Sequence, residues 1–178
     1  MRRLIINIHL YLAAFFAPVL LLVVISGGGY LLDFKGHASK QSIAVASGAT
    51  LDLKSLSLEA DVAALLTAAG ESADFEYLRV GTTSLVTRPT STVHYQIGVA
   101  DGEVSITRVS PDWQYRIVEL HKGHGPMLFK NFQKLLALGL LFIVISGLWL
   151  GLSSRMLRVP SALAAVSGLL VMLVLVFS

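Results

Sequence analysis

Three apolar runs decide what this chain can fold into. Leu4 to Leu32, Leu135 to Leu152 and Ala162 to Phe177 contain no Asp, Glu, Lys or Arg. About 20 consecutive apolar residues cross a bilayer. The first run exceeds that length, the second comes close, and the third falls short. All 11 acids lie between Asp33 and Glu119. Only 14% of the residues are charged, against about a quarter in a soluble domain. The pattern is that of one polar domain held between membrane spans.

The arginines supply the topology. Arg2 and Arg3 precede the first run, and Arg155 and Arg158 lie between the second and third. Two spans separate the pairs, so both pairs share a side. The positive-inside rule makes that side cytoplasmic. The polar domain then faces the other way, into the periplasm of a bacterial inner-membrane protein. The first run outlasts the roughly 7–15 apolar residues of a signal peptide, so it predicts an uncleaved span, Leu10 to Leu32. The third is a short span or a piece of a longer arrangement.

The chain divides into a cytoplasmic tip with the first span (1–33), an extracytoplasmic domain with its linker (34–125), a second span (126–153), a basic loop (154–160) and a third span (161–178). Asp33 to Gly48 reads as linker. Leu56 to Gly70 reads as an amphipathic helix, with Ser57 as N-cap and Gly70 as its stop. Strand patterns follow at 75–80, 84–88, 92–99 and 103–109, the last two joined by the hairpin signal Asp101-Gly102. Tyr115 to Lys122 predicts a short helix, and Pro126 opens the next. The expected fold class is membrane α-helical, with three transmembrane helices. To these is added a small α+β extracytoplasmic domain, one helix on an antiparallel meander.

The absence of cysteine excludes disulfides, zinc–thiolate sites and iron–sulfur clusters of the chain's own. The net charge of +3 reflects topology, and no basic–aromatic patch suggests nucleic acid. Ser26 and Ser146 have no general base nearby in sequence, and no phosphate loop or His-Glu-x-x-His pattern occurs. No autonomous enzyme is expected.

Histidine carries the remaining chemistry. His9 enters the first span. His121 and His124 lie in Glu119-Leu120-His121-Lys122-Gly123-His124-Gly125-Pro126, where the polar domain hands over to the second span. Neutral imidazole is a good haem ligand. His121 and His124, three apart, share a face if helical and cannot both be axial to one iron. His9 and His121 are separated by most of the roughly 30 Å hydrocarbon core. A second copy or a membrane partner must therefore bring an opposing ligand. His121, His124 and Glu119 are also the candidate set for another metal, or the two histidines are an interfacial pair. His94, on a strand, and His37, in the linker, read as ordinary.

Val23-Val24-Ile25-Ser26-Gly27 is echoed by Ile143-Val144-Ile145-Ser146-Gly147. The two spans run in opposite directions, so the echo is either an inverted pair or chance in biased composition. Ser26-Gly27-Gly28-Gly29 either admits a close neighbour or loosens a helix end.

Asn7-Ile8-His9-Leu10-Tyr11-Leu12, Glu119-Leu120-His121-Lys122-Gly123 and Ser146-Gly147-Leu148-Trp149-Leu150 together resemble the bacterial PepSY-associated transmembrane family in a short, three-span form. The resemblance implies a periplasmic PepSY-like domain, and haem b held at His121 and His9. It further implies a role in iron or haem handling or in membrane electron transfer, beside a homo-oligomeric or membrane partner. The chain lacks the flavin or nicotinamide domain of the longer siderophore-iron reductases. The family's link to peptidase inhibition implies an alternative, a periplasmic binding or regulatory module that the spans only anchor.

Overall fold

The computed structural model describes residues 1–100 and 103–178. The Asp101-Gly102 turn lies outside the described residues, although the flanking strands pair as far as Ala100 and Glu103. The chain forms two compact units, one from 21–133 and one from 1–20 together with 134–178.

The first unit is mixed. Its elements are the end of α1 (Arg2–Leu31), β1 (Ala38–Ile43), α2 (Leu58–Ala68), β2 (Tyr77–Val80), β3 (Ser84–Arg88), β4 (His94–Ala100), β5 (Glu103–Pro111), α3 (Trp113–His121) and the start of α4 (Met127–Leu152). The sheet is antiparallel, in the order β1-β5-β4-β3-β2. Strands β2 to β5 form the expected meander. Strand β1 is a correction, because it lies in the stretch read as linker. Ala38-Ser39-Lys40-Gln41-Ser42-Ile43 has no apolar alternation to betray it. It is an edge strand whose ladder runs from Ala38 opposite Pro111 to Ile43 opposite Ile106. Polar side chains suit such an edge, because they discourage pairing with other chains.

Helix α2 covers one face of the sheet. Leu58, Val62 and Leu66 pack with Leu85, Tyr95, Ile97 and Ile106. Full burial of such a side chain is worth about 1.5–3 kcal/mol, so this layer is the core of the unit. Ser57 precedes the helix as expected but does not cap it. Its hydroxyl bonds the Asp61 carboxylate instead. Asp112 does cap α3, accepting from the Tyr115 and His37 backbone N–H groups at 2.7 Å each. Gly36, at φ +70°, passes so close that a Cβ would overlap the Tyr115 nitrogen. The start of α3, and hence the placing of His121 at its end, depends on that close approach.

His94 is buried, and its Nδ1–H donates to the Thr92 carbonyl at 2.9 Å. Burial pushes its pKa down, and the Thr92 bond offsets this only in part. A histidine with a lowered folded pKa favours folding above its unfolded pKa, about 6.5. That contribution is lost as pH falls towards the folded value. Thermal melting of the full chain in detergent should therefore weaken on acidification from pH 7 through the low sixes. His94→Gln should flatten that part of the curve, and an unchanged slope would contradict this role.

The second unit is helical, built from the start of α1, most of α4, and α5 (Arg158–Phe177). Helices α1, α4 and α5 are each long and apolar enough to cross a membrane. Phe16 of α1 is buried against Gly139 of α4. The basic loop is shorter than expected, because α5 begins at Arg158 and takes Pro160 into its first turn. Proline is tolerated there, where backbone N–H groups lack helical partners anyway.

Candidate functional site: two histidine–serine pairs

The Ser26-Gly27-Gly28-Gly29 stretch stays helical, since α1 continues to Leu31. Its small side chains admit a neighbour, as one of the two readings expected. That neighbour is His121. Its Nδ1 lies 2.9 Å from the Ser26 hydroxyl oxygen, and a Cβ on Gly27 would stand 3.1 Å from its Cε1. The Ser26 hydroxyl donates to the Val23 carbonyl at 3.2 Å. When that hydrogen is used in the previous turn, Ser26 is left to accept from His121; in the tautomer that matches, Nδ1–H donates to Ser26 and Nε2 carries the lone pair.

The helical unit repeats the arrangement. His9 Nδ1 lies 2.9 Å from the Ser146 hydroxyl oxygen. Ser146 donates to the Ile143 carbonyl at 3.2 Å, and a Cβ on Gly147 would stand 3.2 Å from His9 Cε1. The echoed segments thus do the same work twice. In each, a serine turns back on its own helix and orients an imidazole from another helix, and the following glycine leaves room for the ring. Both serines are buried. Composition alone pointed to the histidines. The serines carry no local sign of a histidine partner, and the internal echo is the signal that points to them.

The first pair borders an apolar hollow, and Ser146 of the second borders another. One of about 440 Å³ is lined by Ser26, Gly27, Tyr30, Val118, His121 and Lys122, among others. One of about 250 Å³ is lined by Ile5, Phe142, Ile145, Ser146 and Trp149. In that tautomer His121 would present Nε2 beside an apolar hollow, an arrangement suited to ligating iron. A partner on Nδ1 also raises the ligand's basicity. The donor chemistry therefore fits haem.

The structure separates His121 from His124. Helix α3 ends at His121, and Gly123 turns the chain at φ +76°. The two histidines therefore do not share a helix face, since His124 lies beyond the helix end. His124 Nδ1 bonds Glu119 Oε2 at 2.7 Å. The same oxygen accepts from the Thr90 hydroxyl, and Thr90 accepts from Arg88 Nη1 at 2.9 Å. Lys122 Nζ stands 3.3 Å from Oε1. Burial pushes the Glu119 carboxyl up. The bonds from Thr90 and His124, with Lys122 beside it, outweigh burial and hold it below the ordinary glutamate value. Of the candidate metal set, then, Glu119 and His124 come together while His121 turns to Ser26. Among the described residues no group of three or more His, Cys, Asp or Glu could hold a metal ion. His94 bonds locally, to Thr92, while His37 meets Asp112 through its backbone.

No protein family, curated protein or solved structure matches the chain.

Proposed function

We propose that the chain is a haem protein of the bacterial inner membrane, of the PepSY-associated transmembrane kind, serving iron or haem handling or membrane electron transfer. The observation that carries this is the repeated serine–histidine pair, which prepares two imidazoles alike. His121 and His9 would ligate haem b through Nε2. Ser26 and Ser146 hold the rings and fix their protonation. Gly27 and Gly147 give the rings clearance, and apolar side chains line the hollows beside Ser26 and Ser146. Bound haem supplies one-electron redox chemistry. A second copy of the chain, or a membrane partner, supplies the opposing ligands. The N-terminus is cytoplasmic and residues 34–125 are periplasmic. Glu119 and His124 serve the junction and not the iron.

The test is the haem content of the full chain purified in detergent. His121→Ala and His9→Ala should each remove about half of the haem, and the double substitution nearly all, as expected if these residues hold the iron. Ser26→Ala should weaken retention at the His121 site by roughly tenfold, the usual cost of losing a ligand's outer partner. Haem content unaffected by the double substitution would refute the assignment.

A second reading has one observation in its favour. The polar edge strand β1 leaves its outer ladder unpaired in the described sheet, and such an edge can capture an extended peptide. The domain would then be a binding or regulatory module. Loss of function on placing proline in β1, with both histidines dispensable, would favour it.

A further inference from the structure

We propose that the rim of the His121 hollow is a carboxylate-recognition site, with Lys35 and Lys122 as its cations, suited to the two propionate groups of a porphyrin. This goes beyond the haem ligands and rests on the haem reading above.

The rim is made by the way α1 ends. Asp33 adopts the left-handed conformation, at φ 63°. The Phe34 N–H donates to the Gly29 carbonyl at 2.8 Å, and the Asp33 N–H donates to the Tyr30 carbonyl at 3.2 Å. These two bonds form a Schellman turn, which normally uses glycine at the left-handed position. The turn brings Lys35 back over the last helical turn, with Nζ 5.0 Å from the centre of the Tyr30 ring. Lys122, the residue after His121, reaches the same ring from the end of α3, at 5.2 Å. Tyr30 and Lys122 both line the hollow.

Each ammonium also has an acid beside it. Asp33 pairs with Lys35 at 2.7 Å, but its side chain is 86% exposed, and such surface pairs are weak. Glu119 meets Lys122 at 3.3 Å, while its other oxygen already serves Thr90 and His124. Each ammonium has three N–H donors, so both keep donors to offer.

An apolar hollow with a histidine in its wall and two cations at its rim selects an unusual ligand. The ligand needs an apolar body, a metal for Nε2, and carboxylates along one edge. An iron porphyrin carries all three. A fatty acid would use the lysines and leave His121 idle, and a quinone would leave both lysines idle.

The test is titration of the detergent-purified full chain with ferric protoporphyrin IX and, separately, with its dimethyl ester, which lacks the two negative charges. Binding at this site is the Soret change lost in His121→Ala. The wild-type chain should prefer the free acid by roughly tenfold, the scale of one good charge-assisted pair. Lys35→Gln and Lys122→Gln should each shrink that preference while leaving affinity for the ester unchanged. Equal affinity of the wild type for acid and ester would overturn the lysine assignment and leave the haem reading standing. So would lysine variants that weaken both ligands alike. Failure of both porphyrins to bind the wild type would overturn the lysine assignment and the haem reading together. Lys35→Gln leaves the Glu119 network intact, so it decides the matter even if Lys122→Gln misfolds.

Discussion

Glu119→Ala should destabilise the mixed unit by about 3–5 kcal/mol, the usual cost of removing one partner from a buried ionic cluster. Glu119 is only 5% exposed and Arg88 6%. Without the carboxylate, the Thr90 hydroxyl and His124 Nδ1 both lose their acceptor. Arg88 then keeps only Thr90, and its Nε already has no hydrogen-bond partner among the described residues. The Thr90 N–H also donates to the His124 carbonyl at 3.1 Å, so the loss would spread along the backbone joining β3 to the start of α4. Glu119→Gln keeps the acceptor for Thr90 and should cost less, about 1–3 kcal/mol. Amide hydrogen exchange in β3 and β4 reads these energies as faster opening. Protection unchanged in Glu119→Ala would show that the cluster is solvated and that its geometry contributes little.

The second large effect lies in the helical unit. Gly139→Leu should cost about 3 kcal/mol, at the upper end for overpacking. Even a Cβ there would overlap the Phe16 ring, and Phe16 is buried with 2% exposure. The ring has no solvent to swing into, so α1 and α4 must part. Ser146 sits two turns beyond Gly139 on α4, and the parting would pull it from His9. Gly139→Leu should therefore lose haem at His9 as well as thermal stability. Combining it with Phe16→Ala should restore part of both, because the leucine then fills the space that the ring leaves. Additive losses in the double variant would contradict this, since direct contact predicts strong coupling.

Local signals in the sequence were reliable where local physics decides the outcome. The apolar runs marked α1, α4 and α5. Strand patterns at 75–80 and 84–88 mark β2 and β3, and the apolar spacing of Leu58, Val62 and Leu66 marks α2. Strand β1 was hidden because an edge strand needs no apolar face, and its shape comes from β5. Ser57 looked like a cap because capping residues share a composition, yet a nearby carboxylate competed for its hydroxyl. The His121–Ser26 and His9–Ser146 pairs join residues 95 and 137 positions apart. No window of sequence contains such a contact, and only the echo of Ser-Gly in two spans hinted at it. The short helix ending near Lys122 was legible, but the different partners of His121 and His124, Ser26 and Glu119, come from tertiary packing.

The most direct measurement of the central claim is an optical absorption spectrum of the detergent-purified full chain, oxidised and then reduced with dithionite. A Soret band, with sharp α and β bands on reduction that weaken in His121→Ala and again in His9→Ala, is the predicted result. A wild-type chain with no Soret band even after haem supplementation, or a spectrum indifferent to both substitutions, would contradict the claim that the paired serines prepare these histidines for iron.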